Sequence, residues 1–78
     1  MTIQEVLTHD VSFQYRLLSR MEQDCKYFLG NGARLAKYLW ALEVNEHIEY
    51  MKAIWNNLEE KPEWLSYEQI EKYEQEMK

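Results

Sequence analysis

Cys25, His9, His47 and the serines are the residues of this chain whose types can do bond-making chemistry, and none has the company that such work requires. A nucleophilic hydroxyl or thiol needs a base within hydrogen-bond reach and a group to orient that base. Ser12 and Ser19 sit in no strand-to-helix elbow, and Ser66 opens Ser66-Tyr67-Glu68-Gln69, the pattern of a helix cap. Cys25 falls in an apolar helical run, where a free cysteine packs as a small hydrophobe. Its basic sequence neighbours Arg20 and Lys26 do not make a thiolate site. As the lone cysteine of the chain, it also rules out an internal disulfide framework.

Metal binding asks for several convergent His, Cys, Asp or Glu side chains. His9 and His47 are far apart in the chain, and Glu43 with His47, one helical turn apart, makes at best a weak pair on a solvated face. Glu59 and Glu60 adjoin each other in a polar stretch with nothing to raise a carboxyl pKa. Gly30-Asn31-Gly32 lacks the preceding strand and the Lys-Ser/Thr pair of a phosphate-cradling loop. The sequence therefore argues against an enzyme and calls for no metal or cofactor.

Charge gives a sharper candidate. The net charge of −5 is unevenly spread, with −2 over residues 1–15, +3 over 16–42 and −6 over 43–78. Arg16 and Arg20 are one helical turn apart, and Arg34 and Lys37 follow the glycine turn. Folded together, these four would form a patch for an anionic partner, with Tyr15, Tyr27 or Tyr38 nearby. An acidic molecule with so small a cationic footprint is a poor match for a nucleic acid. Pairing of the arginines with the acidic C-terminal half of the chain is the plainer expectation.

These residues must be positioned by helices. Seventy-eight residues form one domain with a modest core, so the three Trp, six Tyr and two Phe have to carry much of its stability. Two glycines, one proline and a composition rich in Glu, Lys, Leu, Gln and Met favour helix over strand. Val44, Ile48, Met51, Trp55 and Leu58 recur at steps of four and three, one stripe of a central helix, with His47 among the polar residues beside it. Phe13, Leu17, Leu18, Met21, Cys25 and Phe28 mark a long helix over 11–29, with Gln14 and Glu22 off its face or at its edge. Asp10 or Ser12 can cap its start, and Gly30 and Gly32, free to take positive φ, its end. Leu35, Leu39 and Leu42 predict a shorter helix over 33–42, with a turn near Glu43 to Asn45.

Pro62 ends the central helix by about residue 60. Ser66 and Gln69 form a capping box, Leu65 and Ile70 a hydrophobic staple, and Tyr67, Ile70, Tyr73 and Met77 the inner face of the last helix. The expected core anchors are Trp40, Ile48, Met51, Trp55, Leu58 and Trp64, the last plugging the core from its loop. Residues 1–10 read as an arm or a short helix capped by Thr2, and 11–78 as a single helical domain. The fold expected is all-α, a small compact bundle of three main helices plus one short helix.

Four stretches in order carry a resemblance: YRLLSRMEQDCKYFLGNG at 15–32, AKYLWA at 36–41, HIEYMKAIWNNL at 47–58 and KPEWLSYEQIEKYEQEM at 61–77. Together they resemble the eleventh family of large polyvalent protein-associated domains, over roughly residues 13–77. Leu42 departs from the pattern, standing where a glycine is expected after Trp40-Ala41. The resemblance implies a domain of phages, plasmids and integrated elements, standing alone or fused into very large proteins, and it assigns no binding residues. The expectation is a non-catalytic module that grips a host or phage protein, a host-defence protein included. A nucleic-acid or anionic-nucleotide binder is the alternative, and a homodimer is compatible with either. With no signal-peptide core and no run of about twenty apolar residues, the expected setting is the cytoplasm, away from membranes.

Overall fold

The computed structural model describes residues 3–30 and 34–77, and among these the chain forms four α-helices and no strand. They are α1 (Ile3–Thr8), α2 (Val11–Leu29), α3 (Val44–Asn57) and α4 (Tyr67–Met77), with one 3-10 turn at Ala36–Tyr38 between α2 and α3. Helix α3 lies against α1, α2 and α4, while α2 also meets α4. The bundle is thus assembled around the central helix that the Val44–Leu58 periodicity announces. The expected caps at Thr2 and Gly32 lie outside the described residues.

Helix α2 starts where Asp10 accepts the Phe13 amide at 2.7 Å, which satisfies one of the free amides of the first turn. Leu17, Leu18, Met21, Cys25 and Phe28 are buried along it. Gln14, expected at the edge, is buried as well, because its amide is fully employed. Its Nε2 donates to the carbonyls of His9 at 2.9 Å and Leu7 at 3.3 Å, and its Oε1 accepts from Asn57 at 3.0 Å. One glutamine thereby ties α1 to α2 and α3.

The end of α2 differs from expectation. Gly30 has φ −108°, so it is no left-handed cap; its amide returns to the carbonyls of Lys26 and Tyr27. A Cβ there would come within 3.3 Å of the Lys26 carbonyl oxygen, so the position asks for glycine through closeness of backbone. The left-handed residues are Arg34 (φ 59°) and Leu42 (φ 63°).

The helix expected over 33–42 is a chain of turns instead. Leu39 donates to Ala36 and Leu42 to Leu39, both three-residue closures. The Trp40 amide, which an α-helix would give to Ala36, is taken by the Asp24 carboxylate at 3.1 Å. Leu42 then reverses the chain, and α3 begins at Val44 with Glu43 in the N-cap position. The short helix of the bundle is accordingly α1.

Helix α3 buries His47, Ile48, Met51 and Ile54, with Leu58 closing the row. The stripe is rotated relative to the expected one: Val44 and Trp55 move to its margin, and His47 moves from the polar face to complete burial. Lys61 folds back over the helix end, its Nζ donating to the carbonyls of Trp55 at 2.8 Å, Asn56 at 3.1 Å and Leu58 at 2.5 Å. A cation on orphan carbonyls is the favourable charge for a helix C-terminus.

The Ser66 hydroxyl accepts the Gln69 amide at 3.1 Å and starts α4. Leu65, Ile70, Tyr73 and Met77 are buried. Trp64 does not plug the core; it is 46 % exposed, and its neighbour Leu65 is the residue that turns inward. Trp55, at the margin, donates its indole N–H to the Leu65 carbonyl at 3.0 Å and meets Tyr67 edge-on at 5.4 Å. Among the described residues no helix is long and apolar enough to cross a membrane.

Candidate functional site

Phe13, Arg16, Leu17 and Arg20 are spaced i, i+3, i+4 and i+7, so they share one face of α2. Trp40, from the turns before α3, walls that face and completes a groove of about 510 Å³. The wall is fixed at two points: the Trp40 amide is held by Asp24, and its ring rests on Tyr50 at 5.8 Å. At the other end Phe13 stacks on His9, ring centres 4.3 Å apart. The groove is therefore apolar in its floor and wall, with two guanidinium groups along it.

Of the four cations expected to form a patch, the structure joins two. Arg16 and Arg20 are both exposed in the groove. Arg34 is spent elsewhere, its Nη2 on the Glu76 carbonyl at 2.6 Å and its guanidinium 5.6 Å above the Phe28 ring. Phe28 lies eight residues beyond Arg20, roughly 12 Å along the helix axis. Lys37 is exposed in the 3-10 turn, and the Tyr38 side chain lies outside what is described. Tyr15 bonds the Glu60 carbonyl, and Tyr27 is exposed without lining the groove.

The expected pairing of the arginines with the acidic half holds only for Arg34, and there through a backbone carbonyl. Elsewhere the acidic residues have other cations: Lys52 pairs with Glu74 at 3.0 Å, Lys72 with Glu76 at 3.8 Å and Lys26 with Glu22 at 4.0 Å. Lys61 is occupied on carbonyls, and Lys37 also has a bonding or electrostatic partner. Arg16 and Arg20 are thus the two described cationic side chains with no hydrogen bond or ion pair to a described residue.

Two of the groups capable of chemistry, His47 and Cys25, are inside, while His9, Ser12 and Ser66 are exposed. His47 is wholly buried, its Nε2–H donating to the Met21 carbonyl at 3.0 Å and its Nδ1 without a partner. A carbonyl can only accept, so Nε2 carries a proton, and a buried Nδ1 with no partner among the described residues disfavours a second one. Burial lowers its pKa below 6.5, more strongly than the Met21 bond and the Asp24 charge raise it. Cys25 is wholly buried against Met51, Sγ to Sδ 3.6 Å. Burial first, then the charges of Asp24 and Glu22, push its thiol up to about 12, the reverse of what a nucleophile needs. Tyr73, whose hydroxyl reaches Glu22 at 3.4 Å, is likewise raised to about 12, chiefly by burial. Among the described residues no group of three or more His, Cys, Asp or Glu is placed to hold a metal ion.

A second depression, about 460 Å³, is lined by Val11, Gln14, Tyr15, Asn57, Leu58, Glu59 and Glu60. Its polar floor is the Gln14–Asn57 pair already bonded to itself, and its carboxylates give it the opposite sign from the first groove. Arg16 and Arg20 are among the cations expected from the sequence, whereas Phe13, Leu17 and Trp40 as their surroundings are not. The spacing of 13, 16, 17 and 20 was visible in the sequence; the approach of Trp40 depends on the Asp24 bond and was not.

Fold and surface together define a small all-α domain whose thiol and His47 imidazole are internal and whose surface carries a cationic, apolar-floored groove. More narrowly, the family model for large polyvalent protein-associated domain 11 matches residues 11–77, and the chain belongs to that family. Neither the curated proteins nor the solved structures compared with it gave a match.

Proposed function

We propose that this domain is a non-catalytic protein-binding module of a phage or other mobile genetic element, acting in the cytoplasm by inhibiting or adapting a host protein, with defence proteins as a natural target. One observation carries the reading: the distribution of side-chain types between inside and outside. The Cys25 thiol and the His47 imidazole are sealed in the core. Meanwhile Val11, Tyr27, Leu35, Leu42 and Trp64 are 44–67 % exposed. Exposed aromatic and aliphatic groups beside charged ones are what protein interfaces are built from. The family's description as polyvalent protein-associated supports the mobile-element setting. Affinity capture from host lysate with the intact domain tests the proposal. Reproducible recovery of one host protein is expected; recovery of nucleotides with no protein would reverse it.

A second reading has its own observation. Arg16 and Arg20 stand beside Trp40 with no ion pair among the described residues, and cations flanking an aromatic face suit a nucleotide or a single strand. Only two cations meet there, in a molecule of net charge −5, which limits the phosphate contacts available. Reversing both charges separates the readings. Lost retention of nucleic acid with host-protein capture intact would favour this second one.

A further inference from the structure

The groove on α2 leaves a debt of charge unsettled within the molecule. There are 14 acidic residues in the chain. Every other described lysine and arginine has a partner, whereas Arg16 and Arg20 have none among the described residues. Both stand one helical turn apart over an apolar floor of Phe13 and Leu17, walled by Trp40. We infer that this groove is the docking site for an acidic amphipathic helix of a partner protein. Its aliphatic stripe seats against Phe13, Leu17 and Trp40, and two carboxylates one turn apart meet Arg16 and Arg20. The inference rests on the protein-binding reading above and gives it a location and a partner chemistry.

Three features select this occupant. Residues 13 to 20 span about 10 Å of helix, two turns, the length over which an i, i+3, i+4, i+7 face engages another helix. Arginine offers a planar fork that matches a carboxylate with two parallel bonds, and the one-turn separation of the two forks repeats the i, i+4 separation of carboxylates on a facing helix. A long polyanion would also meet the −6 carried by residues 43–78. A short helix with a few carboxylates meets less of that repulsion than a long polyanion does.

The test uses the intact domain and, as probe, a synthetic helical peptide of about 18 residues with leucines at i, i+3, i+4 and i+7 and glutamates on the flanks. Backbone NMR shifts should move at residues 13–20 and at Trp40 on titration. A peptide with Gln for Glu should bind about ten-fold more weakly, as should R16Q/R20Q, given two exposed ion pairs. R16E/R20E should lose more. Both arginines are exposed, so circular dichroism should show these variants folded. Shifts elsewhere, equal binding by R16Q/R20Q, or equal binding by a scrambled peptide of the same composition would overturn the inference. So would no peptide binding, or ADP or oligothymidylate taking the groove instead. Lysate capture keeps the two proposals apart. A host protein held equally by the native domain and R16E/R20E removes the groove but leaves the binding role; none held by the native domain removes the role.

Discussion

At His47 the ring has the Met21 carbonyl on one nitrogen and nothing on the other, so a second proton would bring a charge and an unmatched N–H into the core. Its folded pKa lies below 6.5, the value in the unfolded chain. Between those two values the unfolded chain binds more protons, and stability falls as pH falls. The contribution is complete above pH 6.5 and is lost progressively on acidification toward the folded pKa. Urea unfolding measured from pH 7.5 to 5 should show the midpoint dropping below pH 6.5, with a shallower drop in His47→Gln. An identical slope in the two proteins would assign acid sensitivity to other groups. The burial of this histidine was legible in spacing, since 47, 51, 54 and 58 fall on one stripe; it was hidden by residue type. Gln14 is the same case, in register with Leu17, Leu18, Met21 and Cys25. Residue type alone places both side chains outward, whereas each finds backbone or amide partners that only the fold supplies.

Among the elements, the segment between α2 and α3 departs most from its sequence pattern. Leu35, Leu39 and Leu42 have helical spacing, but Asp24 withdraws the Trp40 amide and Leu42 turns left-handed. A carboxylate sixteen residues away is not part of any local pattern, so propensity alone pointed to helix. Asp24→Ala should release the amide and speed hydrogen exchange at Trp40 well ahead of exchange in α2; unchanged protection would show the turns to be self-supporting. Leucine in the left-handed region costs about 1–2 kcal/mol, and this one is 67 % exposed, so its side chain returns little. Leu42→Gly should therefore raise stability by up to about 1 kcal/mol after the extra chain entropy of glycine is subtracted. Thermal unfolding would show it, and a loss of stability would mean that the leucine side chain has a packing role. The family's expected glycine at this place agrees with the backbone found. By contrast, the starts of α2 and α4 are readable because Asp10 and Ser66 act on amides three residues on.

For the molecule as a whole, stability of roughly 4–12 kcal/mol is the range for a chain of 78 residues. Met51 is fully buried at the centre of α3, and Met51→Ala should cost about 2–5 kcal/mol, a sizeable fraction of that total. Trp64→Ala, at a half-exposed ring, should cost under about 1 kcal/mol despite removing the larger side chain. Denaturant titration of the pair checks the order; a reversed order would place the tryptophan inside after all. Which of Trp64 and Leu65 faces inward depends on how the loop enters α4, and periodicity is silent on loops. The bundle class was readable because α3 carries its apolar stripe through four turns and each neighbour has one of its own.

Val6 has no exposed surface, although the family match begins only at residue 11. A protein trimmed to that match would lose a piece of its own interior: α3 would be bared where α1 lies, and the Gln14 side chain would forfeit both of its carbonyl acceptors. Such a truncation should melt at a clearly lower temperature than the 78-residue chain and expose dye-binding surface, and equal melting temperatures would show α1 to be a passenger. Where a shared pattern stops and where a self-sufficient body stops are, at this end, different places.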